Sequence, residues 1–268
     1  MRWKLAILIL LLCTYSISFC QGNPGARQVA LSYSDISSFN DAFSIFNNPA
    51  ALSGINIRTS GIYYSPSPFG LKELSEACGV LSQPTSFGNL GIGFSVYGFE
   101  LYKETVIGLT YAGKLTSNFY AGVTASYKTI SIKNYGSTGV LYLNLGGIAV
   151  ISDKINVGFS FENINRATVA DESNQLPVVY SVGISYKAIK ELQVFAALAK
   201  ELNYNASVRL GAEYSILNFL TLRIGTASEP NTFSSGIGLI YSVFHFDYAV
   251  TSHPDLGLTH QFGVVFRL

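Results

Sequence analysis

Between Tyr204 and Ile216 apolar and polar residues alternate without a break. Tyr204, Ala206, Val208, Leu210, Ala212, Tyr214 and Ile216 fall on one side, and Asn205, Ser207, Arg209, Gly211, Glu213 and Ser215 on the other. A strand places successive side chains on opposite faces, whereas a helix would scatter these apolar positions around its circumference. The same rhythm runs through Phe119–Tyr127, Ile155–Phe161, Val178–Tyr186 and Phe244–Val250, and more weakly through 55–65, 72–82, 88–98, 138–151 and 233–242. The segment 72–82 is the poorest, because Glu73 and Glu76 cannot both take the inner face. Fourteen strands are predicted, beginning near 55, 72, 88, 102, 117, 138, 155, 177, 191, 204, 218, 233, 244 and 258.

The connections form two alternating sets. Thr116-Ser117, Ser152–Lys154, Leu217-Asn218 and Ser242-Val243 are short; Ser65–Gly70, Ser131–Ser137, Asn163–Leu176, Thr226–Thr232 and Ser252–Gly257 are longer and richer in Pro, Gly and Asn. Short turns on one side and longer loops on the other are the asymmetry of a bacterial membrane barrel, and an even strand count brings both ends of the sheet to the short-turn side. The fold class expected is all-β: a transmembrane antiparallel β-barrel of about 14 strands over 55–268, preceded by an N-terminal hatch or plug segment over 21–54. A soluble β-sandwich, the competing reading, needs charge on its water-facing strand faces, and here those faces are long, aromatic and almost uncharged.

Composition narrows the setting. The chain is 12% charged with a net charge of +1, against about a quarter charged in soluble domains. No segment beyond the N-terminus reaches the roughly 18 uninterrupted apolar residues of a membrane helix. A greasy, charge-poor chain without such helices satisfies its backbone in lipid by closing a barrel. Residues 1–20 read as a secretory signal: Arg2 and Lys4, then Leu5–Leu12, then Ser16 and Ser18 before a cut after Cys20, or after Ser18. Cys13 and Cys20 leave with it, so Cys78 stays without a disulfide partner. No basic patch suggests nucleic acid. Three histidines and one distant cysteine offer no metal-ligand spacing. Gly91-x-Gly93 and Gly236-x-Gly238 lack the helix that a phosphate cradle needs, so no cofactor is expected; glycine there relieves crowding and permits curvature.

The last residues, Gln261-Phe-Gly263-Val-Val-Phe266-Arg-Leu268, resemble the C-terminal insertion signal of outer-membrane barrels. The resemblance implies the barrel-assembly machinery as a partner during insertion and outer-membrane lipid as the solvent. Thr259, Gln261, Gly263, Val265 and Arg267 take the face suited to a wet lumen.

Ahead of the first strand stand Gly25-Ala26-Arg27 and Asn40-Asp41-Ala42-Phe43-Ser44-Ile45-Phe46-Asn47-Asn48-Pro49-Ala50-Ala51-Leu52-Ser53; near the end stand Asp247-Tyr248-Ala249 and Leu256-Gly257-x-Thr259-His260. This combination resembles the PorV/PorQ group of the FadL-like superfamily, departing from it at Ala51, where that group usually has Gly. The resemblance covers both ends of the chain. It implies that the N-terminal segment folds inward as a hatch, with Asn47, Asn48, Pro49 and Ala50 as its motif. The bland reading is that Asn48-Pro49-Ala50 only turns the chain into the first strand. The resemblance further implies a non-enzymatic platform associated with type IX protein secretion, with secretion subunits or secreted cargo as partners. The alternative is a FadL-like passive conduit for hydrophobic small molecules.

Charged residues expected in the lumen are Arg58, Glu104, Lys114, Lys128, Glu162, Lys187, Arg209, Glu213, Arg223, His245, Asp247 and Arg267. Their mixed signs suggest ion pairs rather than a selectivity ring. Arg209 and Glu213 sit about 13 Å apart along one strand, so each is expected to pair across strands instead. His245 and Asp247 share a face, yet nothing marks a serine as their nucleophile, and no catalytic residue is assigned.

Overall fold

The alternation closes on itself. A computed structural model describes residues 23–169 and 175–268; the expected signal sequence and its cleavage point lie outside them. Fourteen strands follow one another: β1 (Thr59–Ser65), β2 (Glu76–Thr85), β3 (Gly88–Gly98), β4 (Tyr102–Lys114), β5 (Phe119–Ile132), β6 (Gly136–Ser152), β7 (Ile155–Glu162), β8 (Val179–Lys187), β9 (Leu192–Glu201), β10 (Ala206–Leu217), β11 (Leu220–Ser228), β12 (Asn231–Tyr241), β13 (Phe244–His253) and β14 (Gly257–Arg267). Each pairs antiparallel with its sequence neighbour. β1 also pairs with β14, from Thr59 opposite Arg267 to Tyr63 opposite Gly263, which shuts the sheet into a closed barrel. Closure removes the unpaired edges that hydrocarbon could not solvate.

Two strand starts differ from expectation. β1 begins at Thr59 rather than near 55, and β2 at Glu76 rather than near 72. In both places short 3-10 turns take up the chain first: Pro49–Gly54 before β1, and Pro68–Gly70 with Lys72–Leu74 before β2. The conflict between the two glutamates is thereby resolved, since Glu73 lies in a turn and Glu76 opens the strand. Connections at one end are 86–87, 115–118, 153–154, 188–191, 218–219 and 242–243, the second of them two residues longer than predicted. At the other end 66–75 and 163–178 are long, while 133–135, 229–230 and 254–256 are tighter than predicted because the strands run on into them.

Outward positions carry large apolar side chains in the open: Ile92, Phe94, Leu109, Leu210 and Ile224 among them, with Leu109 60% and Ile224 63% exposed. Water would penalise such a belt, and a bilayer core accommodates it. Aromatic pairs at the short-turn end include Phe87 with Tyr111 and Phe244 with Phe266, and at the long-loop end Phe161 with Tyr180. Inward positions are mostly small or polar, with Tyr63, Val80, Ile148, Phe195 and Val265 as larger apolar exceptions.

Residues 25–55 pack against those inward positions around nearly the whole ring. They form one α-helical turn, α1 (Ala26–Ala30), and two 3-10 turns, Ala42–Phe46 and Pro49–Gly54. α1 lies against β11 to β14, and the 3-10 turns lie against β1 to β6. Glycines on the strands make this fit. A Cβ on Gly122 of β5 would stand 2.5 Å from the Pro49 carbonyl carbon, and one on Gly158 of β7 would stand 2.6 Å from the Ile36 oxygen. On Gly225 of β11 it would meet the Leu31 carbonyl carbon at 2.5 Å, and on Gly93 of β3 the Phe46 ring at 2.7 Å. The wall is shaved to backbone where the segment touches it.

Candidate functional site: the lumen and the segment inside it

Two kinds of contact hold the N-terminal segment, and the sequence motifs account for both. Gly25 precedes α1 at φ 138°, a conformation that side-chain-bearing residues avoid. Ala26 faces Gly263 of β14 with little room to spare. Arg27 is the centre of an ionic cluster. Its guanidinium meets Glu213 of β10 at 2.9 Å, Asp35 at 3.0 Å and Asp41 at 3.7 Å, and donates to Ser38 Oγ at 3.1 Å. Glu213 is also held by Arg223 of β11, directly opposite it in register, at 2.6 Å, and Arg223 reaches Asp247 of β13 at 2.6 Å. Burial works against the Arg27 charge, but Glu213, Asp35 and Asp41 outweigh it and keep its pKa above the ordinary value. Burial pushes the Asp35 carboxyl up to about 6, against the pull of Arg27.

The second contact is apolar. Phe43, Ile45, Phe46, Leu52 and Ile55 of the segment join Tyr63, Cys78, Val80 and Ala112 of the wall in one buried cluster. Hydrogen bonds frame it. Asp41 caps the first 3-10 turn by accepting from Phe43 N at 2.9 Å. Thr124 of β5 donates to the Ile45 carbonyl at 3.3 Å. Asn89 of β3 donates to the Ile55 carbonyl at 2.7 Å and to that of Leu52.

The Asn-Pro-Ala motif lies at the seam. Asn48 is 1% exposed; its Oδ1 accepts from Ala50 N at 3.1 Å, and its Nδ2 donates to the Ile36 carbonyl at 2.6 Å and to that of Gly147 in β6 at 3.4 Å. Asn47 N donates to the Ser44 carbonyl at 3.0 Å. Pro49 starts the 3-10 turn, where its missing N–H costs nothing. Ala50 backs onto Gly122. Ala51 lies within the same turn and is not among the positive-φ residues, so the backbone there makes no demand for glycine.

The charged residues expected in the lumen divide. Glu213, Arg223 and Asp247 belong to the Arg27 cluster. Arg209 lies 5.7 Å over the Tyr33 ring rather than against Glu213. Lys128 of β5 pairs with Glu104 of β4 at 2.6 Å. Glu162, at the end of β7, accepts from Asn23 Nδ2 at 3.1 Å. Arg267 donates to the Asn40 carbonyl at 3.4 Å, and His245 is half-buried on the same inner face. Arg58 corrects the expectation: it precedes β1, out of phase with inward Thr59, Gly61 and Tyr63, and is exposed, donating to Gln83 at 2.6 Å. Lys187 and Lys114 end their strands at the exposed rim, Lys114 over the Tyr120 ring at 5.7 Å. In the C-terminal signal, Gln261 accepts from Tyr63 Oη at 3.0 Å and Gly263 faces α1, while the Phe266 ring packs on Phe244. Leu268 is exposed, and its N–H bonds the Arg58 carbonyl at 2.8 Å. The sequence reading missed Arg27, Asp35 and Asp41 as an ionic centre and Glu76 as an inward acid. The run of inward glycines was the available signal that something presses on the wall.

A closed fourteen-stranded barrel with a segment packed on its inner face is the architecture of an outer-membrane β-barrel with an internal plug. The fold is that of the FadL-type barrels. Among solved structures, the CymD monoaromatic hydrocarbon channel matches at a TM-score of 0.70 with 11% identity, over 94% of this chain and 99% of the other. The toluene transporter TbuX of Ralstonia pickettii matches at 0.65 with 13% identity, over 94% and 100%. A FadL homologue of Pseudomonas aeruginosa matches at 0.59 with 14% identity, over 91% and 97%. No protein-family model matches the sequence, and no curated protein matches it.

Proposed function

We propose that the protein is a passive conduit for hydrophobic small molecules across the outer membrane, with residues 21–54 as its hatch. The observation that carries this reading is how the lumen is filled. About eight strands fill their interior with wall side chains, whereas fourteen leave a space that something else must occupy. Here the wall is reduced to glycine at Gly93, Gly122, Gly158 and Gly225, and a separate segment takes the space. The segment is joined to the wall by side-chain contacts and not by strand pairing, so it can shift without opening the barrel. The fold neighbours described as toluene transporters and hydrocarbon channels support the same reading.

The secretion platform expected from the PorV/PorQ resemblance rests on the quoted motifs alone, and the fold comparison runs to channels instead. The test is deletion of residues 40–50. Uptake of a fluorescent hydrophobic probe into cells, and conductance in reconstituted bilayers, are expected to rise. Unchanged uptake and conductance in a correctly inserted deletion variant would remove the conduit.

A further inference from the structure

Above the apolar cluster, toward the long-loop end, the inner wall of β1 to β6 carries a carboxylate with no partner. Glu76 opens β2 and is 9% exposed, yet among the described residues its side chain has no hydrogen bond or ion pair. It stands directly opposite Tyr97 of β3, which stands opposite Glu104 of β4. Glu104 is already engaged by Lys128 at 2.6 Å and by the Tyr102 hydroxyl. Lys128 is thus in close contact with Glu104 and acts on Glu76 only from beyond ion-pair distance, which leaves the Glu76 acceptor open. The rest of the residue is covered while the carboxylate keeps contact with the lumen, where a donor can reach it. Beside it lie Tyr63, Cys78 and Val106, continuous with the Phe43 and Phe46 rings of the segment.

We infer that this wall is a binding site for small aromatic molecules whose polar end donates hydrogen bonds and carries no negative charge. The inference rests on the conduit reading and names the substrate class of that lumen. The ring of such a molecule lies against the partly exposed Tyr97 and Tyr102, and its hydroxyl or amine donates to Glu76. A plain hydrocarbon leaves Glu76 unmatched. A carboxylate brings a third negative charge beside two that share one lysine. A site built around a hydrogen bond rejects the analogue that lacks it far more strongly than an apolar pocket rejects a change of size.

The test uses the mature barrel in liposomes and four radiolabelled probes of similar size: 2-phenylethylamine, 2-phenylethanol, ethylbenzene and phenylacetate. Binding above protein-free vesicles is expected to be about tenfold or more tighter for the amine and the alcohol than for ethylbenzene, with phenylacetate weakest. Glu76→Gln is expected to cut the amine preference by about tenfold while ethylbenzene changes less than about twofold, and Glu73→Gln, in the exposed turn, to change nothing. Lys128→Met provides a second arm and is expected to tighten the amine, so the inference stays testable if Glu76→Gln fails to insert. Four probes bound alike, an amine preference untouched by Glu76→Gln, or a preference for phenylacetate each overturns the site. If ethylbenzene still crosses the vesicles in those cases the conduit stands without it; if no probe crosses faster than through protein-free vesicles, the conduit itself fails.

Discussion

The N-terminal segment touches opposite walls of the barrel by different chemistry. Against β10 to β13 it presents Arg27 and a run of small residues, and the wall answers with Glu213, Arg223 and Asp247. Against β1 to β5 it presents Phe43, Ile45, Phe46 and Leu52, and the wall answers with Tyr63, Cys78 and Val80. The apolar wall supplies non-directional attraction that grows with buried area. The ionic wall supplies register, because a guanidinium shared by three acids holds one position and no other. Asp41 couples the two, pairing with Arg27 while capping the turn that carries Phe43. The two walls therefore release the segment together.

Cys78 reports on that release without any engineering. It is 4% exposed beneath Phe43 and Tyr63, so its reaction with a maleimide measures how often the segment lifts. The largest effect is expected from Arg27→Ala. Removing one partner from a buried cluster leaves Asp35 and Asp41 without a cation and Glu213 with Arg223 alone, at a cost of about 3–5 kcal/mol. Labelling of Cys78 then accelerates roughly a hundredfold or more, although the mutation lies on the far wall. Unchanged labelling means that the two walls act independently. Phe46→Ala strikes the apolar wall directly. Loss of that ring is expected to cost about 3 kcal/mol, at the lower end for a buried aromatic because lumen water can enter the gap, and Cys78 labelling rises accordingly.

The outer face sharpens the contrast by leaving the segment alone. Leu210 points into the hydrocarbon belt from the middle of β10, and Leu210→Arg is expected to cost the barrel about 2–4 kcal/mol. The readout is the folded fraction, seen as heat-modifiable mobility on a gel. Cys78 within the folded fraction stays as slow as in the unchanged protein. Faster labelling there would mean that wall and segment are not separable.

The barrel was legible because a period of two is a local property: each strand needs only its own residues to show which face meets lipid. Leu210 and Gly211 reveal their sides without knowledge of any neighbour. Strand ends at Thr59 and Glu76 were less legible, since the 3-10 turns before them arise from Asn48 capping and from Pro68, whose reach propensity alone does not set. The ionic centre was hidden for a different reason. Arg27 precedes Glu213 by 186 residues, and only closure of the sheet brings them within 2.9 Å. Arg209 and Glu213 show the same limit in reverse: the face was right, yet each found its partner elsewhere, on Tyr33 and on Arg27 with Arg223. The inward glycines were visible but ambiguous, because curvature and close approach leave the same letter in the sequence.

Asn48 separates a hatch motif from a simple turn, and the distinction turns on one amide. As a cap, only its oxygen matters, accepting from Ala50 N. As a tie to the wall, its nitrogen matters too, donating to the Ile36 and Gly147 carbonyls. Asn48→Asp keeps the cap, since aspartate serves that position as well as asparagine, but sets a carboxylate against two carbonyl oxygens. If the residue only turns the chain, Asn48→Asp is silent and Asn48→Ala costs about 1 kcal/mol. If it fastens the segment, Asn48→Asp is the worse of the two, by about 1–2 kcal/mol, because buried acceptors then face one another without a donor. Cys78 labelling ranks the variants. The geometry predicts that aspartate labels faster than alanine, and alanine faster than asparagine.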